Sequence, residues 1–373
     1  MSAHDAENAA PPLAGRLRER IRREGAVSFR DWMAAALYDA REGYYVRPDL
    51  VRWGRAGDYR TAPERSPLFA ATFARYFAGL FGESHSPREC AITEAGAGAG
   101  SFARGVLGTL QRDHPTIFHA TRYVIDEVSP SARERAREAL KEFAGRVEFR
   151  SLAETALDVG EGIVFANELL DAFPVHRVRL RDGKLYEQFV ELGEGQRFVF
   201  TEREPSTPRL REYFEGVGVE LSEGQVAEVN LGVEEWVNRA ASTLKRGHII
   251  IVDYGAQARD LYAATHRQEG TLRAFHRHRL AQDPLDMMGE QDLTTTIDWT
   301  NVRRAGEKAG LTVESFDRQD EFLLRAGLLD QLERMATEAT SDADALILRA
   351  SVRELILPGG MSESFQVMVL KKE

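Results

Sequence analysis

Short apolar runs alternate with amphipathic stretches through the middle of this chain. The runs at 91–94, 122–127, 147–150, 162–167 and 248–254 read as strands. Stretches of helical period separate them, at 102–110, at 129–143 with Pro130 near its start, and at 234–245. Alternation of this kind predicts an α/β fold with a parallel sheet and crossover helices. The run His248-Ile249-Ile250-Ile251-Val252-Asp253-Tyr254 is the most apolar, as expected of a strand covered on both faces. Towards the end, 303–309 reads as a helix stopping at Gly310, 311–316 as a strand, 321–357 as largely helical, and 364–370 as a closing strand.

Before this pattern begins, 17–24 reads as a basic amphipathic helix ending near Gly25. Ser28 is placed to cap a second helix that turns Phe29, Trp32, Met33 and Leu37 inward. From Ala36 to Phe69, glycines, prolines and aromatics alternate with polar groups without a period, and the aromatic content argues for an ordered segment folded over a pocket. A helix is expected at 68–81. Two stretches interrupt the later rhythm. Residues 175–229 look β-rich, with Asp182-Gly183 as a hairpin turn, and residues 256–296 have no clear period. The expected organisation is a disordered tail at 1–15, an N-terminal helical and loop segment at 16–85, and one large domain at 86–373. That domain would carry insertions at about 175–230 and 256–296.

Composition narrows the class. Hydrophobic residues make up 43% and charged residues 29%, an ordinary globular balance. The formal net charge of -10 disfavours general binding to nucleic acid or an acidic membrane surface. No apolar run approaches the ~18 residues of a membrane span. The single cysteine, Cys90, excludes an internal disulfide. The Ala/Pro-rich start carries Asp5 and Glu7 and resembles neither a secretory leader nor an organelle presequence, so a cytoplasmic location is expected.

The chemistry concentrates at strand ends, where open α/β sheets bind ligands. Glu94-Ala95-Gly96-Ala97-Gly98-Ala99-Gly100-Ser101 follows the first run of the sheet. Alternating glycines let backbone N–H groups approach a ligand closely. The loop lacks the Gly-Lys-Ser/Thr of a phosphate-binding Walker loop. It also has Ser101 where a dinucleotide fingerprint wants a small Gly or Ala, which disfavours a nicotinamide-dependent oxidoreductase. An acid followed by Gly-x-Gly-x-Gly fits the S-adenosylmethionine (SAM) loop of a methyltransferase. Glu127, at the end of the second run, suits the two ribose hydroxyls of that cofactor, with Asp126 its competitor for the role. Asn167 and Glu168 close the fourth run and Asp253 the fifth. Glu168 and Asp171, at i and i+3, share one face if a helical turn starts there. Such a pair could orient an amine or guanidinium acceptor and take its proton. His266, His276, His278, Arg259, Arg267, Arg273, Arg277 and Arg279 gather in the second interruption. No cysteine or ordered carboxylate completes a metal site there, so no metal is expected and the segment reads as a basic lid.

Several ordered motifs together resemble the family of mitochondrial complex I assembly methyltransferases and their bacterial, MidA-like relatives. The N-terminal matches are Ser28-Phe29, Ala36-Leu37-Tyr38-Asp39, Glu42-Gly43-Tyr44-Tyr45, Gly57-Asp58-Tyr59, Thr61-Ala62-Pro63-Glu64 and Ser66-Pro67-Leu68-Phe69. The later ones are the Glu94 glycine loop, Glu127-Val128-Ser129-Pro130, Asn167 through Pro174, Asp253-Tyr254-Gly255, Gly270-Thr271-Leu272-Arg273 and Asp292-Leu293-Thr294. Departures are Ala97, where the family usually has Pro, and Ala256 after Asp-Tyr-Gly. The resemblance implies a class I SAM-methyltransferase sheet, Rossmann-like, with an N-terminal segment and insertions that shape a protein-substrate cleft. It implies SAM as cofactor, held by Glu94, Gly96, Gly98, Gly100, Ser101, Glu127 and Asn167. It implies methyl transfer to a protein arginine ω-nitrogen, with Glu168 and Asp171 handling the acceptor and Tyr44, Tyr45, Asp58, Thr61, Asp253 and Arg273 lining its site. A small-molecule N- or O-methyltransferase, a SAM-fold assembly factor and a homodimer remain open alternatives at this stage.

Overall fold

A computed structural model describes residues 12–48, 50, 62–82, 89–154, 161–263, 267–276, 279–356 and 364–373. The chain divides into two compact units. The first is drawn from residues up to Val51, Ala172–Gly232 and Ala258–Thr295, and the second from Arg52–Asp171, Val233–Gln257 and Thr296–Glu373. The expected segment 16–85 is therefore shared between the two units.

The second unit is built on a sheet whose long strands run β1 (Cys90–Ala95), β2 (Thr121–Asp126), β3 (Val147–Phe149), β4 (Glu161–Asn167), β5 (Gly247–Ala256), β6 (Thr312–Arg318) and β7 (Phe365–Lys372). Their spatial order is β6-β7-β5-β4-β1-β2-β3. All pairs from β3 to β5 are parallel, and β7 lies antiparallel between β5 and β6. A two-residue strand, Ile297–Asp298, adds to the end of β5. In register, Val252 of β5 stands beside Asn167 of β4, and Ala166 beside Ala95 of β1. The polar residues that follow these positions thus leave the sheet at one edge.

The expected strands are all present, each within a residue or two of its expected ends. The helix after the glycine loop runs Ser101–Asp113, and the one after β2 runs Pro130–Ala139 before tightening into a 3₁₀ turn. The stretch 321–357 resolves into helices Gln319–Arg325, Leu328–Thr337 and Asp342–Ile356. The helix Pro67–Gly82 is buried along most of its length and belongs to this unit's core. Its Phe69, Phe73 and Phe77 meet Phe102 and Phe165, whose rings stack at 4.3 Å. Each such ring contributes about 1.5–3 kcal/mol by leaving water. This aromatic layer fixes the helix at the glycine loop against the strand that carries Asn167 and Glu168.

In the first unit, Val27–Ser28, Lys184–Leu192, His176–Arg181 and Val226–Val229 lie in that order as an antiparallel sheet, with Phe198–Arg203 also paired to Lys184–Leu192. Asp182 and Gly183 turn the hairpin with φ of 51° and 68°, the left-handed pair that a two-residue loop requires. The first helix starts at Leu13, inside the expected tail, and buries Leu13, Leu17 and Ile21. Ser28 Oγ accepts from the Asp31 N–H at 3.1 Å and caps helix Phe29–Tyr38, as its position suggested. The aperiodic stretch 256–296 contains a small sheet of Arg273–His276, Arg279–Leu280 and Asp292–Thr294. Its strands are too short to display a period.

Candidate functional site

The glycine loop folds as a string of left-handed positions. Gly96, Gly98 and Gly100 have φ of 73°, 54° and 81°. The Gly96 N–H donates to the Asp126 carbonyl at 2.7 Å, tying the loop to the end of β2. A Cβ at Gly96 would sit 2.9 Å from Leu169 Cδ1, and one at Gly100 3.1 Å from Ala136 Cβ. The loop therefore presents bare backbone packed closely from behind, a cradle that a ligand can approach closely.

Glu127 reaches this loop. Its carboxylate accepts from the Gly98 N–H at 2.8 Å and from the Ser129 N–H at 2.7 Å. Asp126, its competitor in the sequence, is occupied elsewhere, with burial raising its pKa and the Leu152 backbone N–H as a partner. Glu94 lies deeper. It is 5% exposed and accepts from the Tyr123 hydroxyl at 2.7 Å. Burial, against the opposing Tyr123 bond and with help from Glu127, pushes Glu94 up to about 8. Its folded pKa thus exceeds the unfolded one, so its stabilising proton is present at low pH and lost as pH rises from about 4.5 towards about 8. Glu94→Gln keeps an acceptor for Tyr123 and carries no charge. Denaturant melts at pH 5 and pH 8.5 are expected to show the variant gaining on the wild type at the higher pH, by roughly 1 kcal/mol or more. An equal offset at both pH values would contradict this assignment.

The third group is the loop after β4. Glu168 adopts φ 51°, and its N–H donates to the Val252 carbonyl at 2.9 Å. The continuous helical turn expected from Glu168 does not form there; a 3₁₀ turn begins at Leu170. Glu168 and Asp171 nevertheless lie close enough for their charges to interact. Burial first, then the Asp171 charge, pushes Glu168 up to about 8, against opposing contributions from Asn167, the Ala62 N–H and Arg65. Asn167 Nδ2 donates to Glu168 Oε1 at 3.2 Å, and Asn167 Oδ1 is buried with no hydrogen-bond partner among the described residues. A buried acceptor of this kind suits a donor on a bound molecule.

Asp253, expected to touch the acceptor, is fully buried and bonds instead to the backbone of the 168–171 loop. Ser101 is exposed at the start of its helix. Tyr44, Tyr45 and Arg273 belong to the first unit. Tyr44 is fully buried, Tyr45 donates its hydroxyl to Asp292 at 2.6 Å, and Arg273 is exposed on the small sheet. Asp58 and Thr61 lie outside the described residues, as do His266, Arg277 and His278. Among the described residues no group of His, Cys, Asp and Glu side chains is arranged to hold a metal, and no helix is long and apolar enough to cross a membrane. Sequence reasoning missed Tyr123 and Ala62. The Thr-Ala-Pro-Glu motif was the available signal for Ala62, whose N–H donates to Glu168.

A sheet with one reversed strand, a glycine cradle after β1, an acid bonded to that cradle after β2 and a polar loop after β4 define a class I SAM-dependent methyltransferase. Residues 72–316 match the family described as "Putative S-adenosyl-L-methionine-dependent methyltransferase", and the chain belongs to that family. A COG1565 superfamily member from Burkholderia thailandensis, bound to S-adenosyl-homocysteine, is 30% identical. It superposes with a TM-score of 0.85 over 98% of this chain and 95% of that one. The Drosophila melanogaster protein arginine methyltransferase NDUFAF7 homolog is 27% identical over 98% of this chain and 86% of its own length. The human mitochondrial protein arginine methyltransferase NDUFAF7 is 23% identical over 98% and 84% respectively.

Proposed function

We propose that this methyltransferase acts on a protein arginine, at a guanidinium nitrogen, with Glu168 and Asp171 orienting the acceptor. The observation that carries the reading is the pair of neighbouring carboxylates at the end of β4, of which Glu168 is raised in pKa by burial and by the Asp171 charge. A guanidinium would relieve that repulsion and match two carboxylates geometrically. The names of the relatives point the same way.

SAM, when bound, supplies an activated methyl group. The residues do the rest. Gly96, Gly98 and Gly100 offer backbone without side chains for close approach, and Glu127 stands at the cradle as a ribose acceptor. Asn167 Oδ1 supplies an unmet acceptor. Glu168 and Asp171 accept N–H bonds from the guanidinium and turn one nitrogen towards the methyl group. Glu168 would take the proton that the guanidinium nitrogen gives up on methylation. Positioning supplies most of the acceleration in such a displacement, and proton removal matters because a guanidinium pKa above ~12 hides the lone pair.

The test is incubation of the purified protein with labelled SAM and cell lysate. Label is expected in protein, and acid hydrolysis should release it as methylated arginine. Label confined to the extractable fraction would replace the reading with a small-molecule acceptor. No transfer at all, with the cofactor still bound, would favour an assembly factor.

A further inference from the structure

Asp253 does not behave as a residue that meets a substrate. It is 0% exposed at the end of β5. One carboxylate oxygen accepts from the Leu170 N–H at 3.1 Å and the Asp171 N–H at 3.4 Å, and the other accepts from the Tyr254 N–H at 2.9 Å. A carboxyl group at the start of the turn Leu170–Ala172 satisfies donors that the turn cannot pair itself.

The residue that this turn follows is strained. Four described non-glycine residues have positive φ: Glu168, Asp182, Gln196 and Met287. The last three are exposed, whereas Glu168 is partly buried at the edge of the sheet. A left-handed carboxylate residue in such a place persists only when its surroundings over-determine it. Two adjacent residues of one strand do so. Val252 holds the Glu168 N–H, and Asp253, the next residue, holds the amides two and three positions further on.

We infer that Asp253 is a positioning residue for methyl transfer, clamping the 168–171 loop so that Glu168 keeps its left-handed backbone and faces the acceptor. The inference rests on the acceptor role given to Glu168 above. Asp253 has no exposed surface and acts through the loop alone. Burial first, then the neighbouring Asp171 and Glu168, raises the Asp253 carboxyl well above the usual carboxylate range, so it holds the loop by hydrogen bonds rather than by charge. The groups that face Glu168 are Asn167, Asp171, Asp253, Arg65 and the Ala62 N–H.

The test uses the full chain and two variants, Asp253→Ala and Asp253→Asn. In Asp253→Ala, amide exchange at Leu170 and Asp171 should accelerate while exchange in β1 and β4 stays as in the wild type. Affinity for S-adenosyl-homocysteine should be retained and kcat should fall on the order of 100-fold, as expected when a reacting group is displaced by about 1 Å. Asp253→Asn keeps one acceptor oxygen for the loop amides, so it should lose less in kcat. In Asp253→Ala the freed loop should let water reach Glu168 and move the rising limb of the kcat/KM profile to lower pH, whereas Asp253→Asn should keep it in place. A merely structural residue would not move that limb. Unchanged exchange at Leu170 and Asp171, or cofactor affinity falling in step with kcat, would overturn the inference. If Asp253→Ala does not fold, amide exchange at Leu170 and Asp171 in Asp253→Asn decides, since one lost acceptor oxygen should still accelerate it. If the wild type transfers no methyl group to protein, exchange and calorimetry still test the clamp while the acceptor reading fails on its own.

Discussion

Gly100→Val is expected to bind S-adenosyl-homocysteine on the order of a hundredfold more weakly than the wild type, while the sheet remains folded. Gly100 has φ 81°, a conformation that costs an L-residue about 1–2 kcal/mol, and more with branching at Cβ. The new Cβ would also lie 3.1 Å from Ala136 Cβ and 3.2 Å from Ala136 Cα. A backbone atom cannot rotate aside, so helix Pro130–Ala139 or the loop must shift. The loop's shape in the bound state is set by the ligand, so the strain appears as lost affinity, and about 3 kcal/mol corresponds to roughly two decades. Calorimetry with S-adenosyl-homocysteine measures it directly. Wild-type affinity in a folded Gly100→Val protein would remove the loop from the cofactor site.

Glu168→Gln is expected to lower kcat by about 10²–10⁴-fold, the usual contribution of a positioned acid or base, with cofactor affinity unchanged. Gln keeps an oxygen to accept from Asn167 and the Ala62 N–H, so the loop should hold its shape. It cannot take a proton. For the wild type, Glu168 at about 8 must lose its proton to work as a base, so kcat/KM should rise with pH towards and through about 8. The sign follows from its cause: burial and Asp171 favour the neutral form, and a guanidinium entering the site favours the charged one. Single-turnover transfer across pH 6–9.5 checks both statements. A Glu168→Gln enzyme that retains wild-type kcat would shift the base role elsewhere.

The sheet was readable because parallel strands covered on both faces leave continuous apolar runs, as in His248 through Val252. The glycine loop was readable because positive φ favours glycine, and it has three at alternate positions. Glu127 was separable from Asp126 only in space, since adjacent acids give the same local signal. Asp253 illustrates the harder case. A carboxylate at a strand end looks alike in sequence whether it faces a ligand or a neighbouring loop, and the Leu170 and Asp171 amides that decide the matter come from about 80 residues away. The tyrosines of the N-terminal segment show the same ambiguity. Tyr44 and Tyr45 anchor turns through the Ala36 and Leu37 carbonyls and through Asp292, contacts that carry no periodic signature.

The place of β7 has a consequence for biosynthesis. The strand formed by Phe365–Lys372 follows β6 in sequence, yet it sits inside the sheet between β5 and β6. During synthesis β5 therefore lacks its partner on that side until 365–372 has emerged, and its edge stays open meanwhile. Such an edge can recruit a strand from another molecule. Interruption of the chain before Phe365 would thus convert a central joint of the sheet into an aggregation seam, whatever the state of the glycine loop.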